Sequence, residues 1–139
     1  MRFNYQTAAL RICVDGEGFN GRIVGQRVYS PIQFSDINDF VTQVDALLDA
    51  QNFPRAFQQI RSFTGKEQPD VPAALSPEQL SLAEEVAGQN GRRATFQLLI
   101  RSRQNASWQG YIDWLDGQNP QSFDSTLEFM KLLCDGLNL

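Results

Sequence analysis

Ten consecutive residues, Arg101-Ser102-Arg103-Gln104-Asn105-Ala106-Ser107-Trp108-Gln109-Gly110, hold the densest set of groups able to recognise a ligand. Two guanidinium groups offer paired donors that match a phosphate or a carboxylate. Three side-chain amides add donors and acceptors, and the indole offers a flat apolar surface for a base or a sugar ring. The candidate ligand-binding set is therefore Arg101, Arg103, Gln104, Asn105, Ser107 and Trp108. A structural use of the same residues weighs more: charged residues on the wet side of a hairpin are routine, and a large aromatic usually packs inward.

The remaining titratable groups exclude more chemistry than they suggest. The chain has no histidine, which removes the Ser-His-Asp and Cys-His arrangements and most zinc and non-haem iron sites. Cys13 and Cys134 are the only thiols, each between apolar neighbours. They read as small core residues, since two lone cysteines cannot enclose a tetrahedral metal. Asp113 and Asp116 lie nearest the Trp-rich segment, yet they read as a strand's wet face and a turn; Glu84, Glu85, Asp45 and Asp49 read as solvated helix faces. Gly16-Glu17-Gly18 lacks the third glycine and the Lys-Ser/Thr of a phosphate loop. No catalytic residue, metal ligand or cofactor is expected.

Two short patterns fall inside the Arg101–Gly110 segment. Asn105-Ala106-Ser107 is a glycosylation sequon, which has meaning only in a secreted chain. Asn105 to Gly110 also has the Asn-x-Ser-x-x-Gly spacing of PilZ domains. Those domains pair it with an upstream Arg-x-x-x-Arg, whereas Arg92 and Arg93 here are adjacent, so the match reads as accidental. The stretch from Phe96 to Leu137 resembles small uncharacterised Firmicutes proteins through its Arg-Gln-Asn-x-Ser-Trp-Gln-Gly hairpin, its second-strand Trp114 and its amphipathic end. That resemblance implies a bacterial cytoplasmic origin and carries over no activity or catalytic residue.

The elements that must position this segment follow from periodicity. Leu10, Ile12 and Val14 alternate with Ala9, Arg11 and Cys13, a strand with one wetter face. Asp15 to Gly18 signals a turn, and Phe19 to Tyr29 reads as a second strand ended by Ser30-Pro31. Ser35 or Asp36 should cap a helix with the stripe Ile37, Phe40, Val41, Val44, Leu47 and Leu48. Phe53, Phe57 and Ile60 suggest another helix, and 65–74 a loop. A central helix is predicted from Ser76 as N-cap, with Pro77 at its first position, Gln79 in a capping box and the stripe Leu80, Ala83, Val86, Ala87. Phe96, Leu98 and Ile100 begin the next strand; Trp108, Gly110, Ile112 and Trp114 line another, before the turn 116–120. A last helix starts at Asp124 or Ser125, carries Leu127, Met130, Leu133 and Leu137, and has Gly136 as a stop signal.

These elements come twice. Sliding 19–50 by 89 positions lays it on 108–139 without a gap, with Gly21/Gly110, Ile23/Ile112, Pro31/Pro120, Phe34/Phe123, Phe40/Phe129 and Leu48/Leu137 identical. Chance alone gives about two identities over that length. The expected architecture is α+β: duplicated β-β-α units form a mostly antiparallel four-stranded sheet packed by helices, with an extra central helix. The chain reads as a single domain, 1–139, with a first half at 1–50, a helical connector at 51–94 and a second half at 95–139.

Composition sets the partners. Hydrophobic residues are 42% and charged residues 20%, the profile of an ordinary globular domain. A net charge of −4 disfavours nucleic acid, although Arg92, Arg93, Arg101 and Arg103 form one acid-free basic stretch. There is no apolar run long enough to span a bilayer, and the polar first residues lack a signal-peptide core, so a membrane partner is not expected and the cytoplasm is. The function expected is a non-enzymatic protein-interaction or structural module that self-associates. The alternative is a small-ligand or anion-binding regulator using the Arg101–Trp108 loop.

Overall fold

The computed structural model describes residues 8–51, 72–74 and 80–138. The suggested helix at Phe53–Ile60, most of the 65–74 loop and the Ser76–Gln79 cap lie outside the described residues. The described fold is α+β. One antiparallel sheet contains β1 (Leu10–Val14), β2 (Gly21–Gly25), β3 (Val28–Phe34), β4 (Ala94–Ser102), β5 (Gln109–Asp113) and β6 (Gln121–Phe123). Their spatial order is β3-β2-β1-β4-β5-β6. Helices α1 (Ile37–Gln51) and α3 (Thr126–Leu137) follow the third and sixth strands, and a short α2 (Ala83–Ala87) precedes β4.

The sheet has six strands rather than the four read from the sequence. What reads as one strand, Phe19 to Tyr29, is broken at Gln26-Arg27, where the chain reverses so that Val28 pairs with Gly25. The returning strand runs through Ser30-Pro31 instead of ending there. Proline is tolerated because β3 lies at the sheet edge, where no neighbouring strand needs its N–H. At the opposite edge the same step yields β6 after Pro120. The head of β3 is itself covered: Tyr29 N–H donates to the Pro72 carbonyl at 3.0 Å, and Ala74 N–H donates to Arg27 O at 2.7 Å.

The central pairing is β1 with β4, with Leu10 opposite Leu98, Arg11 opposite Gln97 and Ile12 opposite Phe96. Residues 89 apart meet equivalent neighbours on either side of it. Gly21 pairs with Phe34 and Gly110 with Phe123. A side chain on Gly21 would run into the Cys13 carbonyl, and one on Gly110 into the Leu99 carbonyl. The helix entrances match as well. Asp36 Oδ1 accepts from Asp39 N–H at 2.7 Å while Asp39 Oδ2 accepts from Ser35 N–H at 2.9 Å. Ser125 Oγ accepts from Glu128 N–H at 3.0 Å while Glu128 Oε2 accepts from Asp124 N–H at 2.7 Å. Both are reciprocal caps that satisfy otherwise orphaned first-turn donors.

One face of the sheet holds the core. Leu10, Ile12, Val14, Ile23, Ile32, Phe34, Phe96, Leu98, Ile100, Ile112 and Phe123 pack with Phe40, Val44, Leu47, Phe129, Leu133 and Leu137 from the two long helices. Helix α3 continues through Gly136 to Leu137 and is ended instead by Asn138 in the left-handed conformation. The central helix is shorter than its sequence suggests, because Leu80, Ser81 and Leu82 are not helical and Leu82 is the N-cap. Ser81 is held by the β2–β3 turn: its N–H donates to Gln26 O at 2.8 Å and its hydroxyl to Val28 O at 2.8 Å.

The close strand contacts at the two glycines set a stability expectation. Gly21→Ala and Gly110→Ala should each lower the unfolding free energy by about 2–3 kcal/mol. Gly18→Ala, whose added carbon meets open space, should change it by less than about 0.5 kcal/mol. Urea denaturation of the three variants checks both.

Candidate functional site

The Arg101–Gly110 segment forms the end of β4, a single 3-10 turn at Gln104–Ala106 and the start of β5. Two consecutive residues, Asn105 (φ 56°) and Ala106 (φ 55°), are left-handed, which lets a compact loop replace a wide hairpin. Gln109 organises it: its Oε1 accepts from Gln104 N–H at 2.8 Å and from Ser102 Oγ at 2.7 Å. Its Nε2 donates to Gln104 O, Ser107 O and Asp124 O, each within 3.3 Å.

The structure divides the six candidate residues between two environments. Trp108 is buried, with its ring 5.5 Å from that of Phe129. Its indole N–H donates to Asp45 Oδ1 on α1 at 2.8 Å. Arg103 is buried too, and donates from one terminal nitrogen to Asp49 Oδ1 at 2.7 Å, with Asp45 Oδ1 4.0 Å away. Ser107 Oγ accepts from Thr126 N–H at 2.7 Å, and Trp108 N–H donates to Thr126 Oγ1 at 3.0 Å, which fixes the start of α3. Arg101, Gln104 and Asn105 are exposed, and the Arg101 guanidinium lies 4.6 Å over the Tyr111 ring. Thus Trp108, Arg103 and Ser107 tie the loop to both long helices, while Arg101 faces away from them on the sheet's outer side.

Sequence reading placed Asp45 and Asp49 on a solvated helix face. Asp45 lies four residues after Val41 and three before Leu48 of the apolar stripe, with Asp49 one turn further on, but only the fold brings Arg103 and Trp108 above them. Partial burial pushes the Asp45 carboxyl up from its ordinary value, and the nearby Asp49 adds to this, while the Trp108 donor and the Arg103 cation oppose it.

A second polar cluster lies on the outer face of β1 and β2. Arg11 Nε donates to Gln89 O at 2.6 Å, and Arg22 donates to Gln89 Oε1 at 2.8 Å and to Asn90 O at 2.8 Å. Arg22 also binds the Asp15 carboxylate at 3.2 Å, and this bond holds the Asp15 pKa below its ordinary value. Cys13 is fully buried beneath this strap, and desolvation raises its thiol pKa. Arg93 makes a third tie, donating to the Gly16, Glu17 and Gly18 carbonyls and to the Leu137 carbonyl at the end of α3. Asp113 and Asp116 act as turn residues, accepting from the backbone N–H of Leu115 and Gln118 at 3.0 Å each. Among the described residues, no group of three or more His, Cys, Asp or Glu side chains is arranged to hold a metal ion, and no helix is long and apolar enough to cross a membrane.

Comparison with family models, curated proteins and solved structures finds no match to this chain.

Substitutions at Asp45 separate its charge from its bond. Asp45→Asn keeps an acceptor for the indole and should stay within about 1 kcal/mol of wild type, whereas Asp45→Ala orphans a buried N–H and should cost about 1–3 kcal/mol. Two opposite pH effects follow. Asp15, with a lowered folded pKa, contributes stability above its ordinary pKa of 3.8, and this is lost as pH falls through the folded value. Asp45, with a raised folded pKa, opposes stability increasingly as pH rises from 3.8 through its folded value. Carboxyl NMR titrations should place Asp45 above Asp15, and Arg22→Ala should move only Asp15 upward.

Proposed function

We propose that this protein is a non-enzymatic interaction module, built by duplication of a small unit, that associates with a second copy of itself. The unit is β-β-β-α, one strand longer than the sequence suggests. The equivalent pairing of Gly21 and Gly110, the matching helix caps and the shared 89-residue offset support the duplication. Its bacterial, cytoplasmic setting remains an inference from the family resemblance.

The observation that carries self-association is the difference between the outer faces of the two halves. On β1 and β2 that face is roofed by α2 and by the Gln89-Asn90 strap. Among the described residues, β4 and β5 have no corresponding roof. Their outer side presents Leu99 paired with Tyr111, with Asp113 opposite Gln97 toward one end and Arg101 over Tyr111 toward the other. This pattern complements itself. A twofold axis through Leu99 and Tyr111 would lay Arg101 of one copy against Asp113 of the other and join the apolar centres, as an isologous dimer requires. The small-ligand reading of the Arg101–Trp108 loop has less support, because Arg103, Ser107 and Trp108 already serve the helices.

Light scattering across a concentration series should give a dimer mass. Arg101→Glu should raise the dimer Kd about tenfold or more, and adding Asp113→Lys should restore much of the loss. A strict monomer at every concentration, or a dimer indifferent to both changes, would count against this interface.

A further inference from the structure

The two halves differ most at one corner of the core face, where the C-terminal half has opened a groove. It has a volume of about 680 Å³ and lies between the β5–β6 loop and the last turns of α3, lined by Trp114, Gln118, Asn119, Gln121, Leu132 and Asp135 with two glycines. Positions 89 residues earlier show what is missing. Val28, Ile32 and Leu47 are buried core residues of the first half, and their counterparts Gly117, Gln121 and Gly136 are all exposed. Three apolar plugs have thus become two glycines and an amide. In the first half β2 and β3 are joined by a tight Gln26-Arg27 turn. In the second, the strands part after Ile112–Gln121, and the loop 114–120 stands away from the sheet.

Trp114 takes part of the vacated space. Its ring lies 5.0 Å from Phe96, its N–H donates to Gln121 Oε1 at 3.2 Å, and it rests so closely on Gly136 that any side chain there would overlap it. Glycine in the middle of the last helical turns is otherwise unfavourable, by about 1 kcal/mol relative to alanine. Gly136 therefore keeps the indole seated and the groove open.

We propose that this groove binds a neutral sugar. The size is that of a small-molecule pocket. An indole supports the C–H face of a pyranose ring, while the Gln118, Asn119 and Gln121 amides, each both donor and acceptor, and the Asp135 carboxylate match the hydroxyl edge. Among the described lining residues there is no cation, and Asp135 would repel a phosphate or a carboxylate, so an anion is excluded; three neutral amides against one carboxylate favour a hydroxyl-rich neutral ligand over a cation. The groove opens on the helix side of the sheet, away from the outer face assigned to self-association; this reading rests on the duplication proposed above but not on the dimer, so the two binding tests fail separately.

The test is a backbone and indole ¹⁵N NMR titration of the full chain with glucose, galactose, mannose, N-acetylglucosamine and maltose. Concentrations should reach about tenfold above a ~1 mM Kd. The expected result is saturable shifts of the Trp114 indole N–H and of Gly117, Gln118, Asn119 and Gly136 with at least one sugar. Asn119→Ala combined with Asp135→Ala changes only exposed side chains, and should weaken that binding about tenfold or more with an unchanged melting temperature. Gly136→Ala should displace the indole and abolish it. Absence of shifts with all five sugars would overturn the proposal. So would shifts indifferent to the double variant, or perturbation of these residues by inorganic phosphate or an arginine peptide but by no sugar.

Discussion

The fold depends on one stacked pair of rings. Phe40 of α1 and Phe129 of α3 lie 6.0 Å apart with planes 16° from parallel, at the centre of the sheet's buried face. Each also meets the aromatics of its own half: Phe40 touches Phe19 and Phe34, and Phe129 touches Trp108 and Phe123. A ring is stiff and large, so this cluster leaves little freedom in how far each helix stands from the strands. Glycine at Gly21 and Gly110 answers a different constraint, the close approach of the Cys13 and Leu99 carbonyls on the neighbouring strands. Both helices are therefore set by a single packing problem, solved once for the two halves together.

Polar ties then fix the helix ends that the rings do not reach. Asp45 and Asp49 on α1 receive Trp108 and Arg103 from the β4–β5 loop of the other half. The end of α3 receives Arg93, which also gathers three carbonyls of the β1–β2 turn. Different residues thus do the same thing at the two ends, pinning each helix to the opposite hairpin. The Arg103 and Trp108 bonds to α1 and the Arg93 bond to the Leu137 carbonyl are partly sheltered from water. There they contribute more than the exposed Arg93 bonds to the β1–β2 turn.

Much of the fold was legible in the residue pattern, and the errors share a cause. The alternation of Leu10, Ile12 and Val14, the stripe of α1 and the helix starts near Asp36 and Ser125 depend on local periodicity and local bonds. In α3, Leu133 and Leu137 are buried as expected, but Leu127 is exposed and Phe129 takes the core position. The third strand of each half was missed because a proline at a sheet edge looks like a strand end until the edge is known. Gly136 looked like a helix stop because its reason, the Trp114 ring, is twenty-two residues away in the chain. The central helix was drawn too long because Ser81 bonds to Gln26 and Val28, partners far off in sequence. In the Arg101–Gly110 segment, residue types offered a candidate binding set while favouring a structural use, and the structure has Arg103 and Trp108 hold helix α1.

By itself the sequence determined the α+β class and the core-facing positions of the β1 strand and of α1, since these follow from spacing along the chain. Only the tertiary structure decided which side chains remain available to a partner. Availability depends on what lies across the sheet or beneath a helix, and one chain segment cannot encode it alone. The Arg101–Trp108 loop, rich in recognition chemistry, is largely spent on its own helices. The quieter stretch from Trp114 to Gln121 borders open space because it carries exposed Gly117 and Gln121 where the residues 89 positions earlier are the buried Val28 and Ile32.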